Sequence, residues 1–89
     1  MINLIKIEPQ EGYSLKLYFS DATHATLDFY YLLEKQTVLT KPLHDKNYFK
    51  SCFIDFGALC WKNGLEFSAE SLSQKAKQNN TLLKTQEVA

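Results

Sequence analysis

Two cysteines, two histidines and a scatter of aspartates are what this chain could use for chemistry. Cys52 and Cys60 flank Asp55-Phe56-Gly57. A zinc centre needs a tetrahedral set of soft ligands at characteristic spacings. Cys52, Cys60, His24 and His44 supply the number but not the spacing, since His24 precedes a strand and His44 lies in a distant loop. The two cysteines therefore read as small packing residues of a sheet, with a cross-strand disulfide as the lesser reading because such bonds are often strained. Asp55-Phe56-Gly57 spells the magnesium-binding tripeptide of protein kinases. That chemistry also needs a Gly-rich loop, a strand lysine and a catalytic loop, which 89 residues do not hold, so the tripeptide reads as a hairpin turn. His44-Asp45 are consecutive, and neighbours in sequence rarely form a working acid–base dyad. Asp45 already suits a helix cap, and no Ser or Cys nucleophile motif accompanies the pair. Asp21, Asp28 and Asp55 fall at turn or cap positions. Asn79-Asn80-Thr81 matches a glycosylation acceptor, which means something only in a secreted protein. These residues imply no catalytic group, no metal ligand and no cofactor. The chain reads as a protein that is not an enzyme.

The elements that would position these residues follow from periodicity. Residues 2–8 form a strand that Pro9 and Gln10-Glu11-Gly12 end. From Tyr13 to Phe19 the pattern alternates, with Tyr13, Leu15, Leu17 and Phe19 on one face and Ser14, Lys16 and Tyr18 on the other. Ser20-Asp21-Ala22-Thr23 supplies a turn, and His24 to Phe29 alternates again with Ala25, Leu27 and Phe29 facing in. Strands joined by such short turns make an antiparallel three-stranded meander. Asp28 is placed to cap a short helix over residues 29–35, and Asp45 to cap one turn at Lys46–Lys50 with Tyr48 and Phe49 inward. A β-hairpin follows. As a three-residue loop, Asp55-Phe56-Gly57 sets Cys52 opposite Cys60; as a two-residue loop it sets Cys52 opposite Trp61. Asn63-Gly64 makes a second turn, and Ser68 caps a C-terminal helix that runs to about Gln78 and stops at Asn79-Asn80. The fold class is α+β: meander, short helices, hairpin and C-terminal helix. Residues 1–80 form one domain, and residues 81–89, with few apolar side chains, read as a flexible tail.

Composition narrows the function classes. A hydrophobic fraction of 45% suffices for one core and argues against disorder. Ten acidic residues balance ten basic ones, all lysine. Nucleic-acid affinity rests on a basic face, and arginine makes the commonest specific base contact, so nucleic acid is not the favoured partner. A net charge of zero does little to keep copies apart, which leaves room for a homodimer. The start of the chain has no signal-peptide pattern and no stretch approaches membrane-spanning length, so a cytoplasmic protein with reduced thiols and no membrane association is expected.

Aromatic side chains are the remaining candidates. Tyr18 points away from the buried face of the meander, Tyr30 and Tyr31 cannot both turn inward, and Trp61 stands at a strand end. On an exposed face Tyr18, Tyr30, Tyr31 and Trp61 would make a partner-binding surface, since Tyr and Trp are enriched at interfaces. The competing reading buries them under the helix over residues 69–78, because large aromatics are mostly buried anyway.

Phe19-Ser20-Asp21 after the second strand, Asp28 closing the third, Leu32-Leu33, Leu43-His44-Asp45 with Phe49, and Trp61-Lys62-Asn63-Gly64 with Glu66 together form a pattern. Over about residues 2–76 the chain resembles the small bacterial family known as domain of unknown function 2442. It departs from the family in having Ala22 for a usual Gly, Lys62 for Pro and Glu66 for Asp; the first departure implies an altered turn. The resemblance implies an α+β fold and no catalytic residues. It also implies a small protein partner encoded by an adjacent gene, in an arrangement similar to toxin–antitoxin pairs. Some members add a helix-turn-helix domain, for which no room follows residue 80. The function expected is a non-enzymatic protein-interaction module, antitoxin-like; the alternative is a dimeric DNA-associated transcriptional regulator.

Overall fold

The computed structural model describes residues 1–85. Its elements in order are β1 (Leu4–Pro9), β2 (Ser14–Phe19), β3 (Thr23–Asp28), α1 (Tyr31–Lys35), a 3-10 turn (Lys41–His44), α2 (Lys46–Lys50), β4 (Phe53–Asp55), β5 (Ala58–Cys60), β6 (Glu66–Phe67), α3 (Ala69–Gln78) and β7 (Leu83–Lys84). The fold is α+β, with one antiparallel sheet ordered β1-β2-β3-β7 and a second ordered β4-β5-β6.

The alternation of β2 and β3 does what the period-two pattern requires. Leu15, Leu17 and Phe19 face the core together with Ala25, Leu27 and Phe29, while Lys16 pairs across to Thr26 and Tyr18 to His24 on the outer face. β1 begins later than expected and carries a bulge between Leu4 and Lys6. A bulge adds a residue that the partner strand cannot match, and here it turns Ile5 outward. At the next turn Ala22 takes φ 64. The alanine stands in the left-handed region that glycine adopts without steric penalty, and carries the strain of doing so.

Both predicted caps with serine or aspartate ahead of α2 and α3 are present. The Asp45 side chain accepts from Asn47 N–H at 2.9 Å, and the Ser68 hydroxyl accepts from Ser71 N–H at 3.1 Å. Asp28 differs. Its carboxylate accepts from Tyr30 N–H at 2.9 Å, which shapes the turn before α1, and Tyr30 stands at the cap position with no side-chain bond. α1 is accordingly shorter than the expected 29–35.

α3 is closed just past its C-cap by Asn80, with φ 56: Thr81 N–H donates to the Ala76 carbonyl at 2.9 Å and Asn80 N–H to the Lys77 carbonyl at 3.2 Å. This double closure satisfies carbonyls that would otherwise be orphaned and turns the chain back. The segment from Thr81, expected as a flexible tail, then runs along β3. Leu83 pairs with His24 and Lys84 with Thr23, and Thr85 N–H donates to the Ala22 carbonyl at 2.7 Å. The meander thus gains a fourth strand. The rest of the expected tail, residues 86–89, lies outside the described residues.

The core sits between the inner face of the large sheet and the Ala69, Leu72, Ala76 face of α3. An aromatic cluster extends it to the small sheet: Phe29 lies 6.2 Å from Phe49 and 6.1 Å from Phe67, and Trp61 lies 5.9 Å from Phe49 and 6.2 Å from Phe67. Such tilted and edge-on contacts add to the area the rings remove from water.

Candidate functional site

The hairpin resolves the alternatives left open by its sequence. Phe53 pairs with Cys60, Ile54 with Leu59 and Asp55 with Ala58, so the loop is the two residues Phe56-Gly57, with φ 49 and 74. Both loop residues are left-handed, as the hairpin turn that matches strand twist demands. Extending the register sets Cys52 toward Trp61, and Cys52 and Cys60 then belong to opposite faces of the hairpin. Both thiols are free. Burial pushes Cys52 up to about 11. The Cys60 thiol is also raised, first by burial and then by the carboxylates of Glu66 and Asp55.

The other polar candidates are each held by local structure. His24 Nδ1 lies 2.9 Å from the Thr85 hydroxyl, and the His44 carbonyl accepts from Tyr13 O–H at 3.1 Å. Among the described residues no three of His, Cys, Asp and Glu converge as metal ligands would.

The four aromatic candidates are not brought together. Trp61 is 2% exposed, and its Nε1–H donates to the Phe49 carbonyl at 2.9 Å. It is a core residue that fixes the hairpin to α2, which corrects its assignment to a partner surface. Tyr31 is half-buried, stacked on Phe29 at 6.4 Å with Lys75 Nζ over its ring at 3.4 Å, so α3 does shelter it. Tyr18 stays on the outer face of the meander, where α3 does not cover it. Its hydroxyl donates to Glu8 Oε1 at 2.7 Å, Lys6 and Lys16 Nζ each lie 5.3 Å from its ring centre, and the His24 ring is 5.6 Å away. That bond, ahead of the charge of Lys6, holds the Glu8 carboxyl below its ordinary range. Tyr30 remains 56% exposed, edge-on to Tyr13 at 6.0 Å.

A different apolar surface is on display. Ile5 is 60% exposed, Phe53 42%, Ile54 37% and Phe56 98%. Three of these belong to the hairpin, and β1 runs beside β4 at this corner, joined by Leu4 N–H donating to the Gly57 carbonyl at 2.8 Å. Gly57 is required by that approach: a Cβ on it would fall 2.9 Å from Asn3 Cβ, and its φ is positive besides. Phe56, Gly57, Ala58 and Glu70 border a hollow of about 260 Å³ beside the hairpin tip. A larger depression of about 600 Å³ follows the polar flank of α3 at Ser71, Gln74 and Gln78, and shares Ser68 and Glu70 with that hollow. One signal for the missed Phe56 was available. If the loop is two residues long, its first residue stands at the tip and cannot reach the core.

Among the described residues no helix is long and apolar enough to cross a membrane. Comparison with protein families matches residues 4–78 to the family described as protein of unknown function (DUF2442), close to the span of the resemblance read from the motifs. No curated protein and no solved structure matches the chain.

Proposed function

We propose, for a chain that belongs to the DUF2442 family, a role as a non-enzymatic interaction module that holds a small protein partner on the corner formed by β1 and β4. In this reading it is the antitoxin-like member of a two-protein pair, with the partner encoded by an adjacent gene. The observation that carries the proposal is the exposure of Ile5 on β1 and of Phe53, Ile54 and Phe56 on the neighbouring hairpin. Large apolar side chains gathered at one exposed corner of a small fold have a free-energy cost, and such clusters mark interaction sites. Phe56 is the sharpest case. A phenylalanine in a left-handed loop position is strained and wholly hydrated, so nothing in the isolated fold favours it.

Co-expression with the product of the adjacent gene, followed by light scattering on the eluted species, tests this. A stable complex is expected, and Phe53→Lys with Phe56→Lys should dissociate it while leaving the fold intact. Separate elution of the two wild-type proteins would overturn the proposal. The DNA-associated alternative would have to use the outer face of the meander, where Lys6 and Lys16 flank Tyr18. Glu8 sits within that group and pairs with Lys6 at 3.4 Å, which weakens it as a phosphate-binding face.

A further inference from the structure

β7 is held to the large sheet far more lightly than the strand it covers. β3 offers six residues, Thr23–Asp28, and β7 pairs with two of them, Thr23 and His24. One further backbone bond, from Thr85 N–H to the Ala22 carbonyl at 2.7 Å, extends the attachment. Leu83, opposite His24 on the outer face, stays 59% exposed, and Lys84 is exposed as well. Two side chains anchor the segment. Leu82, which the register sets opposite Ala25, packs partly buried against the core, and the Thr85 hydroxyl lies 2.9 Å from His24 Nδ1. Segments with few buried apolar groups open locally at far lower cost than the whole fold.

The hinge is as local as the anchors. Asn80 is exposed and holds φ 56, and Thr81 N–H closes α3 on the Ala76 carbonyl before the chain reaches Leu82. Leu82–Thr85 can therefore lift off β3 while Ala69, Leu72 and Ala76 keep α3 on the sheet. Lifting it leaves β3 as the edge in the order β1-β2-β3. The family match runs over residues 4–78, so it takes in β3 and α3 and stops short of the segment that covers this edge.

We propose that Leu82–Thr85 is a displaceable strap, holding on the edge of β3 the place of an extended segment from another protein. A bare edge is a template for pairing, and a cover this short closes it until a better strand competes. The strap also shows what such a strand needs. It must run antiparallel to β3 and set one apolar side chain over Ala25, where Leu82 now sits. It prevails by pairing with more of Thr23–Asp28 than β7 does, against a rival whose tether gives it a high effective concentration. This edge is distinct from the corner of β1 and β4, so the strap stands or falls independently of a partner held there.

Two measurements on the full chain test this. Native-state hydrogen exchange followed by NMR should show the Thr85 amide exchanging at least roughly 100-fold faster than the amides of β2. Equal protection would overturn the proposal, because the segment would then open only with the whole fold. The second measurement titrates isotope-labelled chain with a synthetic peptide of the sequence Asn80–Ala89 and reads the amide shifts of Thr23–Thr26. Leu82→Asp removes the inward anchor, and Asn80→Val puts a β-branched residue at an exposed site where φ is positive. Each variant should take up the peptide at roughly tenfold lower concentration than the wild type, and a peptide carrying Leu82→Asp should not bind. Asn80→Gly, which keeps the hinge conformation, should behave as the wild type. Identical midpoints for the wild type and both opening variants would overturn the proposal, as would equal binding of the altered peptide. So would a wild-type dimer that Leu82→Asp dissociates, since the segment would then serve exchange between two copies.

Discussion

The indole of Trp61 donates to the backbone carbonyl of Phe49 at 2.9 Å while the two rings lie 5.9 Å apart. One side chain thus ties the end of β5 to α2 by a hydrogen bond and by packing. Trp61→Phe keeps most of the apolar bulk but leaves that buried carbonyl unpaired. It should destabilise the fold by about 2–3 kcal/mol, an orphaned acceptor plus a partial cavity. Urea denaturation followed by circular dichroism measures this; a loss below about 0.5 kcal/mol would mean the bond contributes nothing beyond packing.

The loop residue Phe56 predicts a trade between stability and binding. Asparagine tolerates the left-handed region far better, so Phe56→Asn should stabilise the chain by about 0.5–1 kcal/mol. The same change removes the most exposed aromatic of the proposed surface and should weaken the complex. Thermal melts and affinity measured on the one variant should move in opposite directions.

Ala22 gives a simpler case, because no binding role is assigned to it. Its φ of 64 is a conformation glycine adopts without steric penalty. Ala22→Gly should therefore stabilise the turn by about 0.5–1 kcal/mol, the relief of strain exceeding the added freedom of the unfolded chain. A lower melting temperature for this variant would show that the turn is not strained.

Cys52 makes a prediction at alkaline pH. Burial raises its folded pKa to about 11 from an ordinary value near 9.0. A thiol that loses its proton more readily unfolded than folded contributes stability below about 9, and that contribution is lost as pH rises toward about 11. Between these values the urea midpoint of the wild type should fall more steeply than that of Cys52→Ala. Parallel curves would show that the thiol titrates alike in both states. At neutral pH neither cysteine should react with a disulfide reagent at the rate of a free thiol.

Tyr18 and Glu8 make the acid-side counterpart. The tyrosine hydroxyl stabilises the carboxylate, so the folded pKa of Glu8 is depressed. Whatever stability this contributes is present above the ordinary glutamate pKa and lost as pH falls through the depressed one. Tyr18→Phe should move the Glu8 carboxyl resonance back toward the ordinary titration range. An unshifted curve would assign the depression to Lys6 instead.

The meander was legible because alternation reports directly on a sheet with one buried face: Leu15, Leu17 and Phe19 need no tertiary knowledge. Ser68 and Asp45 were legible for a local reason, since a cap bonds within its own first turn. β7 was not, because two residues cannot display a period and their pairing with Thr23 and His24 is long-range. The exposed surface failed for the same cause. Residue type pointed to Tyr18, Tyr30, Tyr31 and Trp61, but α2 behind Trp61 and Lys75 over Tyr31 decide their exposure. The bulge that turns Ile5 outward leaves no mark in its own sequence.

The exposed strand β4 is only three residues long and ends in Asp55. A longer apolar edge would be a template for fibril growth, copy upon copy. Here the ladder is too short to propagate, and each added copy would bring another carboxylate against the last. The Asp55 carboxylate is then a gatekeeper against aggregation at this exposed corner.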